Sequence, residues 1–342
     1  MIGPTTIRSG VRSADAAEVE TQLRGIAEWA LKGGMAAPEL KGNLIRPIVA
    51  LGGWRSISTG SPTPEFWCGV MAVQLAHEAS LLHDDVIDNA SHRRGKQTVA
   101  ASKGIATALV EGDHLLTTAY RYAARTRNHF FVELFAESVE RTVAGEIAQA
   151  RATGRPLALH EYSAIVCGKS GALLGCALSL GAALVIPDRS RILYDIGCRI
   201  GVVYQMLDDL LDLSPQTRTG KPPLGDFVHG HWTWPLAHLA VDHSGLDSSS
   251  LLRALHHEGL DGRTPARRCL AHYDAEVDAV TGAMRNELGD APALETLLDH
   301  WRARARFAVA TEEAAARASR RAHSTRGSGP RQRVDRSEGV RL

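Results

Sequence analysis

The sequence predicts an all-α fold, a single-domain bundle of long helices, and three observations carry that prediction. Apolar residues recur at three- and four-residue spacing over most of the chain, as in "TPEFWCGVMAVQLAHEASLLHDDVID". Alternating apolar and polar stretches bounded by turn residues, the mark of strands, are absent from the pattern. Short connections separate the periodic runs, which suits a bundle whose functional side chains point into the core. The 342 residues are 44% hydrophobic and 23% charged, a balance that supports a globular chain with a sizeable interior.

The elements follow in order. "SADAAEVETQLRGIAEWALKGG" opens on a Ser/Asp cap signal and stops at Gly33-Gly34. Helical periodicity then runs through 63–88, 98–126, 130–152, 160–185 and 190–213. The apolar run from Gly171 to Pro187 is slightly short for a membrane span and rich in small residues. It reads as a buried core helix, so no integral membrane segment is expected. The Gly/Pro-rich stretch 214–235 is long for a connection and reads as a lid or binding loop. A weaker helical region reaches about residue 318, closing a domain at 1–318. The Arg/Ser/Gly-rich tail 319–342 is expected to be disordered.

A formal net charge of +1 gives no general pull toward nucleic acid or an anionic membrane. The five cysteines, Cys68, Cys167, Cys176, Cys198 and Cys269, form no CxxC pair and no zinc spacing. Scattered thiols in apolar helical contexts predict reduced, buried residues and a cytoplasmic setting. The N-terminal stretch lacks the apolar core of a secretory signal.

The chemistry concentrates in one pattern that occurs twice. In "DDVID", Asp84 and Asp88 share a helical face, with Asp85 about 100° round the helix. "YQMLDDLLDL" repeats it, with Asp208 and Asp212 on the shared face and Asp209 beside them. Each cluster interrupts a run of Leu, Val, Ile or Met, where unpaired carboxylates are strongly unfavourable and call for cations. Hard oxygen ligands on rigid helices suit Mg²⁺, which keeps several waters and shares its other positions with substrate phosphates. One DDxxD is most simply a solvated helix face. Two on separate apolar helices, one followed by Arg93 and Arg94, point to metal–diphosphate chemistry.

With these motifs the chain resembles the all-trans isoprenyl diphosphate synthases, or polyprenyl synthetases, over roughly residues 40 to 240. Asp84, Asp85 and Asp88 with Arg93 and Arg94 resemble the family's first aspartate-rich motif and its arginine pair. Gln205, Asp208, Asp209 and Asp212 resemble the second. Gly112-Asp113, the stretch "GEIAQ" (145–149) and "GKSGALLGCA" (168–177) resemble further family helices, the last bringing Lys169 and Ser170. Lys221, Asp226, Gly230, Thr233 and Pro235 match the loop after the second motif, and Arg46-Pro47 and His77 match positions upstream. Two positions depart from the family pattern: Asn43 and His231 stand where lysines are usual.

The resemblance implies the isoprenoid synthase fold around a central active-site cavity, Mg²⁺ as cofactor, and a homodimer. It implies an allylic diphosphate and isopentenyl diphosphate as substrates. All six aspartates would hold metal. Lys169 and Gln205 would face the developing allylic cation, together with Ser170. Arg46, His77 and Arg94 would grip isopentenyl diphosphate, while Arg93 and Lys221 hold the allylic diphosphate. Asn43 and His231 would take the diphosphate-side places of the usual lysines. Ala76, Ala79 and Ser80, ahead of the first motif, would line the mouth of the product tunnel. All three are small, so a twenty-carbon or longer all-trans product is expected, with geranylgeranyl diphosphate favoured. The alternatives are a class I terpene cyclase-like or specialised prenyl-coupling enzyme, and a subunit of a heteromeric prenyl synthase.

Overall fold

The computed structural model describes residues 17–22, 24, 44–93, 95–212, 232–242 and 263–326. Its elements are α1 (Ile45–Ile57), α2 (Pro64–Ile87), β1 (His92–Arg93), β2 (Lys96–Gln97), α3 (Val99–Lys103), α4 (Ile105–Arg125) and α5 (His129–Ala152). There follow α6 (Leu159–Val166), a π turn (Cys167–Gly171), α7 (Ala172–Val185), α8 (Ser190–Asp212), α9 (Trp234–Asp242), α10 (Arg263–Leu288) and α11 (Pro292–Arg326). The chain is therefore an all-α bundle, with β1 and β2 forming a small antiparallel hairpin outside it.

Local signals set the helix starts. Thr63 accepts the Phe66 N–H at 3.3 Å, and Pro64 occupies a first-turn position that needs no N–H partner. Asn128 accepts the Phe131 N–H at 2.9 Å through Oδ1, while its Nδ2 donates to the Ala183 carbonyl at 2.9 Å. One side chain thus starts α5 and ties it to the end of α7.

Helix α7 runs through the middle of the bundle, packed by α8, α1, α5 and α2. Every residue from Ala172 to Ala183 is buried, which accounts for its apolar composition. The stretch Leu159–Val185 is long and apolar enough to cross a membrane, yet 67% of its apolar window is buried inside the fold. The surrounding core is aromatic-rich, with Trp54 and Phe66 at 4.9 Å and Phe131, Phe135, Tyr122 and Trp301 fully buried. Each such side chain contributes on the order of 1.5–3 kcal/mol by leaving water.

The α7–α8 contact is made backbone to backbone. A Cβ on Gly201 would lie 2.5 Å from the Gly171 Cα, and one on Gly197 would lie 2.7 Å from the Gly175 Cα. Two glycine pairs spaced by one turn therefore fix α8, and the aspartates at its end, against the π turn.

Four expectations shift. The run predicted as one helix over 98–126 breaks at Gly104, whose φ of +94° suits only glycine, into α3 and α4. The loop expected to reach residue 235 gives way to helix at Trp234. Helix α11 continues past 318 to Arg326, because its Ala- and Arg-rich end keeps high helix propensity. The hairpin was not anticipated, because two-residue strands carry no period. Residues 327–342, the rest of the tail expected to be disordered, lie outside the described residues.

Gly201→Ala should destabilise the fold by about 1–3 kcal/mol, since its new methyl meets main chain rather than a movable side chain. Gly282→Ala, in the exposed part of α10 with open space around it, should gain about 0.5–1 kcal/mol. Urea denaturation of the two variants beside the parent chain checks both signs.

Candidate active site

Both aspartate motifs fall at the C-terminal ends of helices, Asp84–Asp88 closing α2 and Asp208–Asp212 closing α8. Neither last turn carries a basic residue. A helix C-terminus already bears partial negative charge, so carboxylates there raise the local demand for cations. Burial, with Glu146 and Asp88 adding to it, pushes the Asp84 carboxyl up to about 6 in spite of Lys169 and Arg93 nearby.

The middle aspartates stand apart from their neighbours. Asp85 is buried and accepts the Arg93 Nε–H at 2.6 Å, a contact from β1 that uses one of the guanidinium's five donors. Asp209 is also buried and accepts three bonds: Tyr162 Oη at 2.7 Å, the Trp234 N–H at 2.8 Å and Gln205 Nε2 at 2.9 Å. Burial, with the charge of Asp209 adding to it, holds the Tyr162 phenol well above its usual range, which keeps it a donor. Asp84, Asp88, Asp208 and Asp212 are half-buried.

The π turn links the two motifs. Its Lys169 Nζ pairs with Glu146 at 2.7 Å, and although burial opposes its charge, Asp84 and Glu146 hold its pKa above the ordinary lysine value. The next residue, Ser170, donates to Gln205 Oε1 at 3.1 Å, and Gln205 in turn binds Asp209. Adjacent residues of one turn thus serve both motifs, Lys169 in the field of Asp84 and Ser170 through Gln205 beside Asp209. The turn is also pressed against α5: a Cβ on Gly145 would lie 2.4 Å from the Lys169 backbone N. Such π turns recur at functional sites because they re-aim side chains that regular helix would direct elsewhere.

The other expected residues are dispersed along the same elements. Arg46 begins α1 and is half-buried; His77 lies in α2, half-buried, its carbonyl accepting the Ser80 hydroxyl at 2.9 Å. Ala76 and Ala79 are buried at 4% and 1% exposure and Ser80 is half-buried, so all three sit within the packed face of α2. Asn43, Arg94, Lys221 and His231 lie outside the described residues.

The sequence alone assigns no role to Glu146, Tyr162, Trp234 or His83. Tyr162 and Trp234 sit in apolar runs and reach Asp209 only through tertiary packing. Glu146 lies in "GEIAQ", a stretch marked only by its likeness to a family helix. His83 lies against Gly112, where a Cβ would meet its Nε2 at 2.3 Å, and stands 3.4 Å from Asp113 Oδ1.

The donor set fits a hard divalent cation. Carboxylate oxygens cluster where burial and like charge make them costly, and Lys169 offsets only part of that charge. Among the described residues no three His, Cys, Asp or Glu side chains form a closed cage. The aspartates would supply part of a coordination shell that water and phosphate oxygens complete.

A family model described as polyprenyl synthetase matches residues 30–264. The chain belongs to the polyprenyl synthetase family. It is 31% identical over 224 residues to the octaprenyl diphosphate synthase of Haemophilus influenzae, covering 64% of this chain and 67% of that protein. It is 32% identical over 202 residues to the nonaprenyl diphosphate synthase of Mycobacterium tuberculosis, covering 58% of this chain and 59% of that protein. Among solved structures it is similar, with a TM-score of 0.68 and 25% identity, to a polyprenyl synthase from Caulobacter crescentus complexed with calcium and isoprenyl diphosphate. That likeness covers 87% of this chain and 94% of the other.

Tyr162→Phe removes one donor from a buried carboxylate and should lower stability by about 1.5–3 kcal/mol with the fold retained. Circular dichroism and urea denaturation measure it, and an unchanged midpoint would mean that Asp209 does not depend on that bond.

Proposed function

We propose that the chain is a trans-prenyltransferase that condenses an allylic diphosphate with isopentenyl diphosphate. The observation that supports it most directly is the π turn, whose Lys169 sits in the field of Asp84 and whose Ser170 hydrogen-bonds beside Asp209 through Gln205. Two acidic helix ends held around one such turn suit a diphosphate leaving group. Asp84, Asp88, Asp208 and Asp212 would hold Mg²⁺, with Asp85 and Asp209 positioning the motifs from within. Bound there, Mg²⁺ supplies Lewis-acid stabilisation of the charge that develops on the departing diphosphate.

The chain's own side chains account for the remaining steps. Arg93 and Lys221 would add charge-assisted contacts to the allylic diphosphate. Ser170, Gln205 and the Lys169 carbonyl would present oxygen dipoles to the allylic cation. Arg46, His77 and Arg94 would hold isopentenyl diphosphate while its double bond attacks. The proton lost from the new carbon–carbon unit passes to the released diphosphate, so no side-chain base is needed. Buried apolar walls exclude the water that would otherwise quench the cation.

The product is proposed to be twenty carbons or longer. Small residues at Ala76, Ala79 and Ser80 support an open tunnel mouth. The octaprenyl and nonaprenyl names of the relatives move the expectation beyond geranylgeranyl diphosphate, toward longer chains. A homodimer is proposed as well, supported by exposed apolar side chains on α4 and α5, among them Ile105, Leu109, Val110, Val143 and Ile147.

The test is incubation with Mg²⁺, an allylic diphosphate and labelled isopentenyl diphosphate. Labelled, elongated diphosphates support the synthase; unlabelled hydrocarbons would mean a cyclase, and no turnover by the chain alone a subunit that needs a partner. Asp84→Asn and Asp208→Asn should each lower kcat on the order of 100-fold or more, the loss expected when metal-borne charge stabilisation is weakened. Ala79→Phe should shorten the product, and an unchanged chain-length distribution would remove Ala79 from the tunnel.

A further inference from the structure

Two histidines meet where α9 packs against α10. His238 Nε2 lies 3.0 Å from His272 Nδ1, with ring centroids 5.1 Å apart and planes at 88°. Both rings make T-shaped contacts with the indole of Trp234, at 5.1 and 5.6 Å, and that indole is fully buried. On its far side His272 Nε2 faces Glu276 Oε1 at 3.7 Å, while Glu276 Oε2 faces Arg199 Nη2 on α8 at 3.5 Å. The side chains of His272 and Glu276 are 39% and 37% exposed, so the cluster is open to solvent and to a solute. Prenyl transfer gives none of these four residues a task.

We propose that His238 and His272 form a two-imidazole site for a late first-row divalent cation such as Zn²⁺, built from residues outside the aspartate motifs and fastening α9 to α10. The donor type selects the ion. Neutral imidazole nitrogen suits Zn²⁺, Ni²⁺ and Cu²⁺, whereas Mg²⁺ takes oxygen ligands and belongs with the carboxylates.

The spacing fits a shared ion. Two nitrogens each about 2.0–2.1 Å from one metal lie roughly 2.9 Å apart at a right angle and about 3.3–3.4 Å apart at a tetrahedral one. The observed 3.0 Å falls between these, so side-chain rotation suffices and the helices need not move. Glu276 sets the tautomer: a carboxylate beside Nε2 favours the proton there and leaves the Nδ1 lone pair directed at His238. A metal-binding histidine commonly donates its other ring N–H to such a carboxylate, which orients the ring and raises its basicity. Among the described residues no third His, Cys, Asp or Glu joins the pair, so water would complete the coordination.

The ion would act on a helix that already matters to the second motif. Trp234, the first residue of α9, donates its N–H to Asp209 at 2.8 Å, and its indole is the surface on which both imidazoles rest. A cation joining His238 to His272 steadies that helix against α10. The binding itself does not rest on the proposed prenyl transfer.

The experiment titrates the full chain with Zn²⁺ by calorimetry, with Mg²⁺ in excess to occupy the oxygen sites. The parent chain should bind one Zn²⁺, and its thermal midpoint should rise by about 5 °C at a hundredfold excess over Kd. His272→Gln, at a half-exposed position that should fold, and His238→Asn should each weaken binding tenfold or more and abolish the thermal shift. Glu276→Gln should weaken binding about tenfold by releasing the His272 ring. Electron paramagnetic resonance with Cu²⁺ in place of Zn²⁺ should show splitting from two imidazole nitrogens. No Zn²⁺ binding by the parent chain, or a Cu²⁺ spectrum with oxygen ligands alone, would overturn the site. Zn²⁺ binding that survives in both histidine variants and disappears in Asp84→Asn would overturn it equally, by placing the ion at the aspartates. Bound Zn²⁺ without a thermal shift would overturn the fastening of α9 to α10.

Discussion

Carboxylates gathered at the C-terminal ends of two helices, inside an apolar bundle, set the terms for the rest of this structure. Each helix end already carries negative partial charge, and each motif adds three acids without a basic residue in the last turn. Folding such a chain requires positive charge and hydrogen-bond donors to be brought from elsewhere. The solution divides the acids by depth. Asp85 and Asp209, the deepest, are bound by protein donors, while Asp84, Asp88, Asp208 and Asp212 around them stay half-buried. Acids gathered at two helix ends suit a hard divalent cation.

The π turn is where this electrostatic problem meets the packing problem. Regular helix through Cys167–Gly171 would point Lys169 and Ser170 in other directions. The widened turn lets Lys169 pair with Glu146 on α5 and Ser170 bond to Gln205 on α8. Its position is held by close main-chain approaches at Gly145 and Gly201 rather than by side-chain interlocking. Backbone contacts of this kind deform little, so the distance between the two acidic helix ends is inherited from the core.

Much of this was legible in advance, for stated physical reasons. The helices of α2, α5 and α8 follow from apolar spacing, while the caps at Thr63 and Asn128 emerge in the structure. The acidic motifs were visible because charge inside an apolar run is improbable without a partner. The break at Gly104 and the helical start at Trp234 were not visible. A single glycine leaves a helical period intact, and Trp234 follows a stretch whose composition reads as loop. Tyr162 and Trp234 as partners of Asp209 were hidden for a different reason. They are 47 and 25 residues away from it along the chain, and nothing in their own neighbourhoods announces a carboxylate.

The sequence alone determined the class of fold, the two acidic motifs and the family, because periodicity, charge placement and motif order are properties of the chain itself. Only the tertiary structure decided which aspartates are buried and bonded by protein donors and which stay half-buried. It also decided that Glu146 answers Lys169 and that Ser170 and Gln205 bridge to Asp209. Each of these is a contact between separate helices. Its existence depends on how closely their backbones approach, and that distance is set by the glycines and the packed core.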